Sequence, residues 1–299
     1  MANIGTGELS NSIATIIGAE ILGYLKANTV MARLVARDWD DEVATHGQVI
    51  KIPYGGSLQA NTKAADTVVT LQTPSDAAYT VTLNQHKEVS FLLEDIGRAL
   101  ARPDWLTYYA NTAVTVLAES IDAALTALYS GFSQSINATG GLGEDDFREA
   151  RRLLNSAKAP ISQRFAALHE DAEYELLGID KATNRDYVES LGSKAAEGYT
   201  GRFMGFDIFM NQQIAVASAE AKNLFFQRNA MVLAMRPLPA DAERFGGAIQ
   251  SVVSEDGMGV RVTMSYNPNH LGVQVTVDVL YGVAELRDSH GVTVRTAEI

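Results

Sequence analysis

The segment between residues 49 and 93 constrains the fold of this chain most, because it resembles a β-ribbon with little apolar content near its tip. Apolar and polar residues alternate through 49–54, which predicts a short strand that ends at Gly55 and Gly56. Three further strands are predicted, at 69–71, 79–83 and 88–93. An isolated two-stranded ribbon is marginally stable in water. We therefore expect this excursion to lie against another surface, such as a second copy of the chain.

Two helical stretches carry apolar stripes that also need a covering surface. The longer helix is predicted at 104–131, where Asp104 is a favourable N-cap and Gly131 favours the end. A rise of 1.5 Å per residue would make this helix roughly 40 Å long. The other stripe lies within 8–34 and contains Leu9, Ile13, Ile16, Ile17, Ile21, Tyr24 and Leu25. Because that stretch has few basic residues, docking on protein is favoured over binding to a membrane surface.

The rest of the chain mixes helices and strands, which predicts an α+β fold. Helices are predicted at 144–157 and 171–177, and strands at 165–168, 207–211 and 224–226. The clearest alternation lies near the C-terminal end. There, apolar residues at every second position predict an antiparallel pair, 260–266 with 273–279, joined by a turn at 267–269.

Charge and composition exclude several classes of function. The chain has 24 Lys and Arg against 36 Asp and Glu, which gives a formal net charge of −12. Because its longest basic run is Arg151-Arg152, long-range attraction to nucleic acid is not expected. With no cysteine, thiolate metal sites and thiol nucleophiles are excluded. Charged residues interrupt the apolar stretch 13–35, and no secretory signal is visible, so we expect a soluble protein in a reducing cytoplasm.

One group of side chains invites a chemical interpretation. His86 and Glu88 lie two residues apart on a predicted strand, and therefore on one face, with Asp95 nearby in sequence. They could serve as metal ligands, or as a base and its orienting carboxylate. A solvated strand face is the simpler interpretation. We predict no catalytic residue, no cofactor and no metal, and a metal-dependent hydrolase built on His86, Glu88 and Asp95 remains a weaker alternative.

The order of these elements, together with four short phrases, resembles the major capsid proteins of tailed bacteriophages, which have the Hong Kong 97-type fold. The phrases are LVARDWDDEV at 34–43, GQVIKIP at 47–53, VTLNQHKEVSF at 81–91 and LYGVAELR at 280–287. The greater similarity is to the podovirus coat-protein family. We expect the chain to depart from that family in two respects. It has no room for the large inserted domain of podovirus coats, and it shows no long N-terminal extension of the kind that serves as a built-in scaffold.

The resemblance implies five parts along the chain. They are an N-arm at 1–45, an extended β-loop with its flanking strand at 46–93, a peripheral domain at 94–159 with the spine helix 104–131, an axial domain at 160–275, and C-terminal strands at 276–299 that return to the peripheral domain. The N-arm is expected to cover a neighbouring subunit. Deletion of residues 1–30 should then abolish shells and leave soluble subunits.

The resemblance also implies a structural function without enzymatic activity. The chain would self-assemble, as hexamers and pentamers, into the icosahedral head shell that encloses double-stranded DNA, with non-specific contacts to that DNA and none to a membrane. A separate scaffolding protein, a portal protein and, as a further option, a decoration protein would be its partners. Assembly would take place in the bacterial host cytoplasm, and the product would be the virion capsid. An encapsulin-like nanocompartment shell, which shares the fold, is the main alternative.

Some relatives lock their shells with a lysine–asparagine isopeptide bond. Lys63, near the tip of the predicted loop, is the lysine placed to form one. No partner asparagine and no activating glutamate can be matched by motif. We therefore do not expect a covalent cross-link.

Overall fold

The computed structural model describes residues 19–25, 29–37, 49–55, 58–73, 76–95, 105–138, 140–179, 199–240, 249–255 and 258–297. These residues form helices, two large β-sheets and a separate two-stranded ribbon. The arrangement confirms the predicted α+β class.

Helices and strands are distributed along the whole of the described chain. The helices are α1 (residues 19–25), α2 (Met31–Leu34), α3 (Trp105–Thr126), α4 (Glu144–Ser156) and α5 (Glu170–Leu177). The strands are β1 (Val49–Gly55), β2 (Asp76–Thr82), β3 (Gln85–Glu94), β4 (Ser135–Ala138), β5 (Arg164–Leu168), β6 (Tyr199–Phe203), β7 (Phe206–Met210), β8 (Val216–Ala217), β9 (Glu220–Gln227), β10 (Met231–Met235), β11 (Ile249–Glu255), β12 (Met258–Asn267), β13 (Gly272–Glu285) and β14 (Gly291–Ala297). Short 3₁₀ turns lie at Ala127–Gly131, Arg228–Ala230 and Asp288–His290.

The first sheet is antiparallel and is built around the long strand β13. Strands β3, β10 and β12 all hydrogen-bond to β13, and β11 pairs with β12. The register of the β12–β13 hairpin places Tyr266 opposite Val273 and Arg261 opposite Asp278. This pairing confirms the predicted antiparallel pair 260–266 with 273–279.

Helix α3 packs on the first sheet, in contact with β3 and β13. Its buried side chains Val114, Leu117 and Ile121 belong to the same core as Val275 and Val277 of β13. Removal of one such side chain from water contributes about 1.5–3 kcal/mol to folding. The contact between α3 and β13 is therefore a main source of stability for this half of the molecule.

The predicted helix 104–131 is present with a tighter last turn, because α3 continues as the 3₁₀ turn Ala127–Gly131. By length and composition, the segment Thr112–Gly131 is apolar enough to cross a membrane. Its buried side chains lie in the protein core, and that packing accounts for its apolar composition.

The second sheet is mixed, with the order β4-β14-β9-β5-β7-β6 and β8 paired to β9. The pairs β4–β14 and β5–β7 are parallel, and the other neighbours are antiparallel. Helix α4 covers this sheet with Phe147, whose ring lies edge-on at 5.0 Å from the rings of Phe203 and Phe225. Such aromatic pairs add about 0.5–1.5 kcal/mol beyond the area that they bury.

The two sheets group the chain differently from the part boundaries that the resemblance implied. Strands β11 and β12, within the expected axial domain 160–275, belong to the first sheet with α3. Strand β4 and helix α4, within 94–159, belong to the second sheet. The C-terminal part 276–299 is divided, because β14 pairs with β4 and β9. Strand β14 has buried side chains at Val292 and Val294, which suits an interior strand.

The ribbon consists of β1 and β2, which pair from Val49 opposite Thr82 to Gly55 opposite Asp76. The strand predicted at 69–71 is absent, since residues 58–73 contain no helix or strand. Instead, β1 is the partner of β2. The β-branched residues around 69–71 have high strand propensity, but strand propensity depends on a partner, and this segment has none within the described chain.

The described part of the expected N-arm lies in the core of its own subunit. In α1, Ile21, Leu22 and Leu25 are each 1% exposed, and they share a core with α3 and the first sheet. Met31 and Leu34 of α2 are buried in the same core. Residues 1–18 lie outside the described residues. This burial argues against the expectation that deletion of residues 1–30 leaves a soluble subunit.

We expect deletion of residues 1–30 to unfold or strongly destabilise the subunit, because it removes Ile21, Leu22 and Leu25 from the core at about 1.5–3 kcal/mol each. Deletion of residues 1–18 spares these three side chains and serves as the control. Thermal unfolding followed by circular dichroism checks the difference. Equal midpoints for the two deletions would contradict this account of the core.

Gly282 of β13 sits directly against the end of β2, where a Cβ atom would lie 2.3 Å from the carbonyl oxygen of Thr82. We expect Gly282→Ala to lower the free energy of unfolding by about 1–3 kcal/mol, because backbone atoms must shift to accept the methyl group. Gly140→Ala is the matched control, since nothing lies within 4 Å of its added Cβ. Urea denaturation of both variants measures the effect, and similar losses would argue against a specific contact at Gly282.

Candidate interaction surface

The base of the ribbon is firmly anchored to the first sheet. Ile50 and Ile52 of β1 and Val81 of β2 form a small core with Val232 and Ala234 of β10. On the outer side of this core, the side chains of β1 and β2 that face away from the sheet are more exposed. The ribbon is therefore held in place at one end by burial of apolar side chains.

The aromatic pair Tyr54 and Tyr79 stiffens the ribbon further from the sheet. Their rings stack with centroids 4.3 Å apart and an interplanar angle of 22°. The two residues lie on opposite strands, so the stack holds β1 and β2 together beyond the anchored core.

Residues 58–73 connect the two strands, and every one of them is exposed. We call this segment the exposed loop. Its apolar side chains are among the most exposed in the described chain, with Val68 at 91%, Leu71 at 90%, Leu58 at 63% and Val69 at 57%. A contiguous set of exposed apolar side chains is typical of a surface that binds another protein.

The backbone of the exposed loop makes few hydrogen bonds to other described residues. Within 58–73, one backbone–backbone hydrogen bond forms between described residues, from the N–H of Thr67 to the carbonyl of Ala64 at 3.4 Å. The side chain of Gln72 clamps the two arms of the loop, because its Oε1 accepts from the N–H of Gln59 at 2.8 Å and its Nε2 donates to the Gln59 carbonyl. Unpaired backbone groups of an extended segment are ready to pair with another chain.

Charge does not oppose contact with a neighbour at this loop. Of residues 58–73, Lys63 and Asp66 are the only two with charged side chains. Lys63 is exposed, and the absence of a cross-link through it stays a prediction. Helix α3 presents a second exposed apolar area, with Tyr109 at 47% and Val116 at 49%.

The structure places His86 next to Asp278 and not next to Glu88 or Asp95. The Nε2 atom of His86 is 2.9 Å from Oδ2 of Asp278, which is buried at 3% exposure. The guanidinium of Arg261 binds the same carboxylate through Nε at 3.0 Å and Nη2 at 2.6 Å. This group lies across β3, β13 and β12 and ties the three strands together.

The other two residues of the hydrolase alternative are separated. Glu88 accepts a hydrogen bond from Ser90, and Asp95, one residue beyond the end of β3, accepts one from the Tyr266 hydroxyl at 2.8 Å. His86 and Asp95 lie about 30 Å apart along an extended strand. Among the described residues, no group of three or more His, Cys, Asp or Glu side chains could hold a metal ion. The hydrolase alternative is not supported.

Sequence reasoning missed the pairing of Arg261 with Asp278. A signal was available, because the predicted pair 260–266 with 273–279 already sets these two residues opposite each other when the turn is centred at 267–272. Opposite charges facing each other across neighbouring strands are a recognised stabilising pair. No such signal exists for the contact of His86 with Asp278, which joins residues 192 positions apart.

Comparison with solved structures shows the same fold in phage particles. A chain from Mycobacterium phage Che8 is 18% identical, with 89% of this chain and 90% of that chain covered and a TM-score of 0.64. A chain from the capsid of Cyanophage P-SCSP1u is 15% identical, with coverage of 91% and 89% and a TM-score of 0.63. A chain from the capsid of Ralstonia phage GP4 is 11% identical, with coverage of 89% and 87% and a TM-score of 0.60.

No protein-family model and no curated protein sequence matches this chain. The structural matches extend over about nine tenths of its length, so they concern the whole architecture and not one motif. The chain therefore has the phage capsid fold, which confirms the fold expected from the resemblance. The greater similarity to podovirus coats stays a prediction.

We expect Asp278→Asn to lower the free energy of unfolding by about 3 kcal/mol, because the change leaves the partly buried Arg261 guanidinium without its carboxylate. Glu88→Gln, which alters an exposed carboxylate on the neighbouring strand, is the matched control and should change stability by less than about 0.5 kcal/mol. Chemical denaturation measures both. A neutral Asp278→Asn would show that the group does not tie the strands together.

Proposed function

We propose that this chain is a major capsid protein that self-assembles into the icosahedral head shell of a bacteriophage, and that its role is structural and not enzymatic. The single observation that carries the proposal is the exposed loop 58–73 on a firmly anchored ribbon, in a chain with the phage capsid fold. In a lone subunit, the side chains of Val68 and Leu71 expose apolar surface to water, which is unfavourable. In a lattice of identical subunits, each loop can bury these side chains against a neighbouring subunit.

The energy of such a contact fits a permanent assembly. Burial of one Val or Leu side chain contributes about 1.5–3 kcal/mol, and permanent interfaces bury about 2,000–5,000 Å² in total. The four apolar side chains of the loop supply part of that area. Most backbone groups of 58–73 have no hydrogen bond to another described residue, so they can pair with a neighbouring chain in exchange for their bonds to water.

The lattice would consist of hexamers and pentamers of this chain around double-stranded DNA. The formal net charge of −12 suits a container, since each favourable phosphate contact would increase affinity and hinder the entry and exit of DNA. Contacts with the packaged DNA would be few and non-specific. The assembled location would be the virion capsid, with assembly in the cytoplasm of the bacterial host.

The proposed partners follow from the resemblance to phage major capsid proteins. We assign a separate scaffolding protein and a portal protein as partners, and a decoration protein as a further option. Within the subunit, the first sheet with α3 corresponds to the peripheral domain and the second sheet with α4 to the axial domain at the capsomer centre. No observation favours the encapsulin-like alternative or the hydrolase.

The proposal is tested by size-exclusion chromatography and negative-stain electron microscopy of the expressed chain. Closed shells that contain nucleic acid support a capsid, whereas shells around an enclosed protein support the nanocompartment alternative. A stable monomer that forms neither, with or without its scaffolding protein, would refute the proposed function.

The exposed loop gives a sharper prediction. We expect the double variant Val68→Ser/Leu71→Ser to weaken the subunit–subunit association constant by about 100-fold, the equivalent of about 3 kcal/mol of lost burial. The unfolding midpoint of the unassembled subunit should stay unchanged, because both side chains are at least 90% exposed there. Light scattering against subunit concentration measures assembly.

Thr70→Ala, in the same loop between the two altered positions, is the matched control and should assemble like the wild type. Equal critical concentrations for the double variant and this control would show that the loop does not contribute to the lattice.

A further inference from the structure

The carboxylate of Asp122 on α3 connects three parts of the molecule. Its Oδ2 accepts hydrogen bonds from the N–H of Val30 at 2.9 Å and from Nδ2 of Asn211 at 3.1 Å. Its Oδ1 accepts one from the N–H of Met31 at 3.1 Å. Asp122 is 3% exposed. A buried carboxylate with three donors from two distant segments joins those segments at one point on α3.

On one side, the junction reaches the second sheet. Asn211 follows β7 directly, and its N–H donates to the Leu168 carbonyl at the end of β5 at 2.9 Å. Its Oδ1 accepts from the N–H of Gln213 at 2.7 Å. One turn further along α3, Thr126 donates its hydroxyl to the Gln213 carbonyl at 2.6 Å. The loop 211–214 is therefore attached to α3 at two successive turns.

On the other side, the junction holds the segment that follows α1. Val30 and Met31 begin α2, and five residues later Ala36 attaches to β10. There, the N–H of Ala36 donates to the Met231 carbonyl and the N–H of Leu233 donates to the Ala36 carbonyl, each at 3.1 Å. Asp122 is thus the point at which the segment 29–34, the spine helix and the second sheet meet.

A cleft of about 300 Å³ opens beside this junction and is lined in part by Val30, Glu119, Asp122, Asn211 and Gln213. The cleft gives water a route to the carboxylate when the junction loosens. A buried contact with an adjacent open space can open locally, without unfolding of the whole subunit.

Few charges face Asp122 from the elements around it. On α3, the exposed carboxylate of Glu119 lines the same cleft. On α2, Arg33 is turned away, with its Nε donating to the Thr29 carbonyl at 3.0 Å. Residues 210–213 have no ionisable side chain. Among the described residues, Asp122 therefore has hydrogen-bond donors but no ion-pair partner.

We propose that Asp122 is a conformational latch that couples the segment 29–34 to the loop 211–214, so that both are held on α3 together and released together. The latch allows a movement of the second sheet relative to α3 to change the position of the segment that connects to residues 1–28.

Proton binding at Asp122 supports the latch. Burial raises the pKa of Asp122 from its ordinary 3.8 to about 6, and the hydrogen bonds from Val30, Met31, Asn211 and Ala32 offset that rise only in part. We call the latch closed when Asp122 holds both segments on α3, and open when both are released. Because the pKa of Asp122 is higher in the closed latch than in the open latch, protonation favours the closed latch. The stabilisation by proton binding is complete below pH 3.8, the ordinary pKa of the carboxyl, and is lost as the pH rises from there through about 6. From pH 5 to pH 8, the ratio of closed to open latch should fall about tenfold.

Hydrogen exchange with mass spectrometry on the purified chain tests the coupling. In Asp122→Asn, the amide nitrogen cannot accept from Met31, so protection should fall about tenfold or more in both 29–34 and 211–214. In Asn211→Ala, protection should fall in 29–34 as well, although Asn211 does not bond to that segment. Coupling between two sites is reciprocal, so release of either segment must lower the protection of the other.

Glu119→Gln, in the same cleft, is the control and should leave both segments unchanged. Protection of β9 should stay constant in every variant, which separates release of the latch from global unfolding. A fall confined to 211–214 in Asn211→Ala would reduce Asp122 to a local contact and overturn the proposal. If Asp122→Asn does not fold, Asn211→Ala still decides the question.

The pH profile gives an independent readout. After correction for the intrinsic exchange rate, wild-type protection in both segments should fall about tenfold between pH 5 and pH 8, and Asp122→Asn should show no such change. A flat wild-type profile would overturn the role of proton binding.

Discussion

The packing of α3 on β13 is the constraint on which the rest of the structure depends. Strand β13 hydrogen-bonds to β3, β10 and β12 and is covered by α3, so half of its residues are buried and none is exposed. The ribbon approaches it at Gly282, and the segment after β10 returns to it through the bond from the Arg236 N–H to the Leu280 carbonyl. The ribbon that carries the exposed loop contacts β13, the latch residue Asp122 lies on α3, and the charged group is built on Asp278 of β13. All three are therefore positioned by this strand and the helix that covers it.

Much of this architecture was predictable where local patterns are strong. The alternation around 260–279 predicted the β12–β13 hairpin, and the stripe of α3 predicted a long helix, because both patterns depend on burial of one face. The prediction of a strand at 69–71 was wrong, because a segment with high strand propensity still needs a neighbouring strand to pair with. The apolar stripe in α1 correctly predicted that these side chains are buried. It could not predict whether they are buried in their own subunit or in a neighbour, since an amphipathic pattern does not identify the surface that covers it.

The interaction surface was easier to predict than the polar contacts. The low apolar content of the excursion already indicated that its tip lacks a core of its own, and all residues of 58–73 are exposed. In contrast, sequence proximity suggested that His86 acts with Glu88 and Asp95, whereas its partner is Asp278. Asp122 gave no signal at all, because its donors lie 92, 91 and 89 residues away. Contacts between distant polar residues arise from the tertiary fold and leave no periodic trace.

The open backbone of residues 58–73 has a consequence for the life of the subunit before assembly. A solvent-exposed stretch of chain with few backbone hydrogen bonds can enter the cleft of a protease without prior unfolding of the rest of the subunit. Degradation of newly made subunits in a cell is then governed by how quickly this stretch finds a partner, and not by the stability of either sheet. Rapid association would protect the chain, and copies left unassembled would be the first to be cleared.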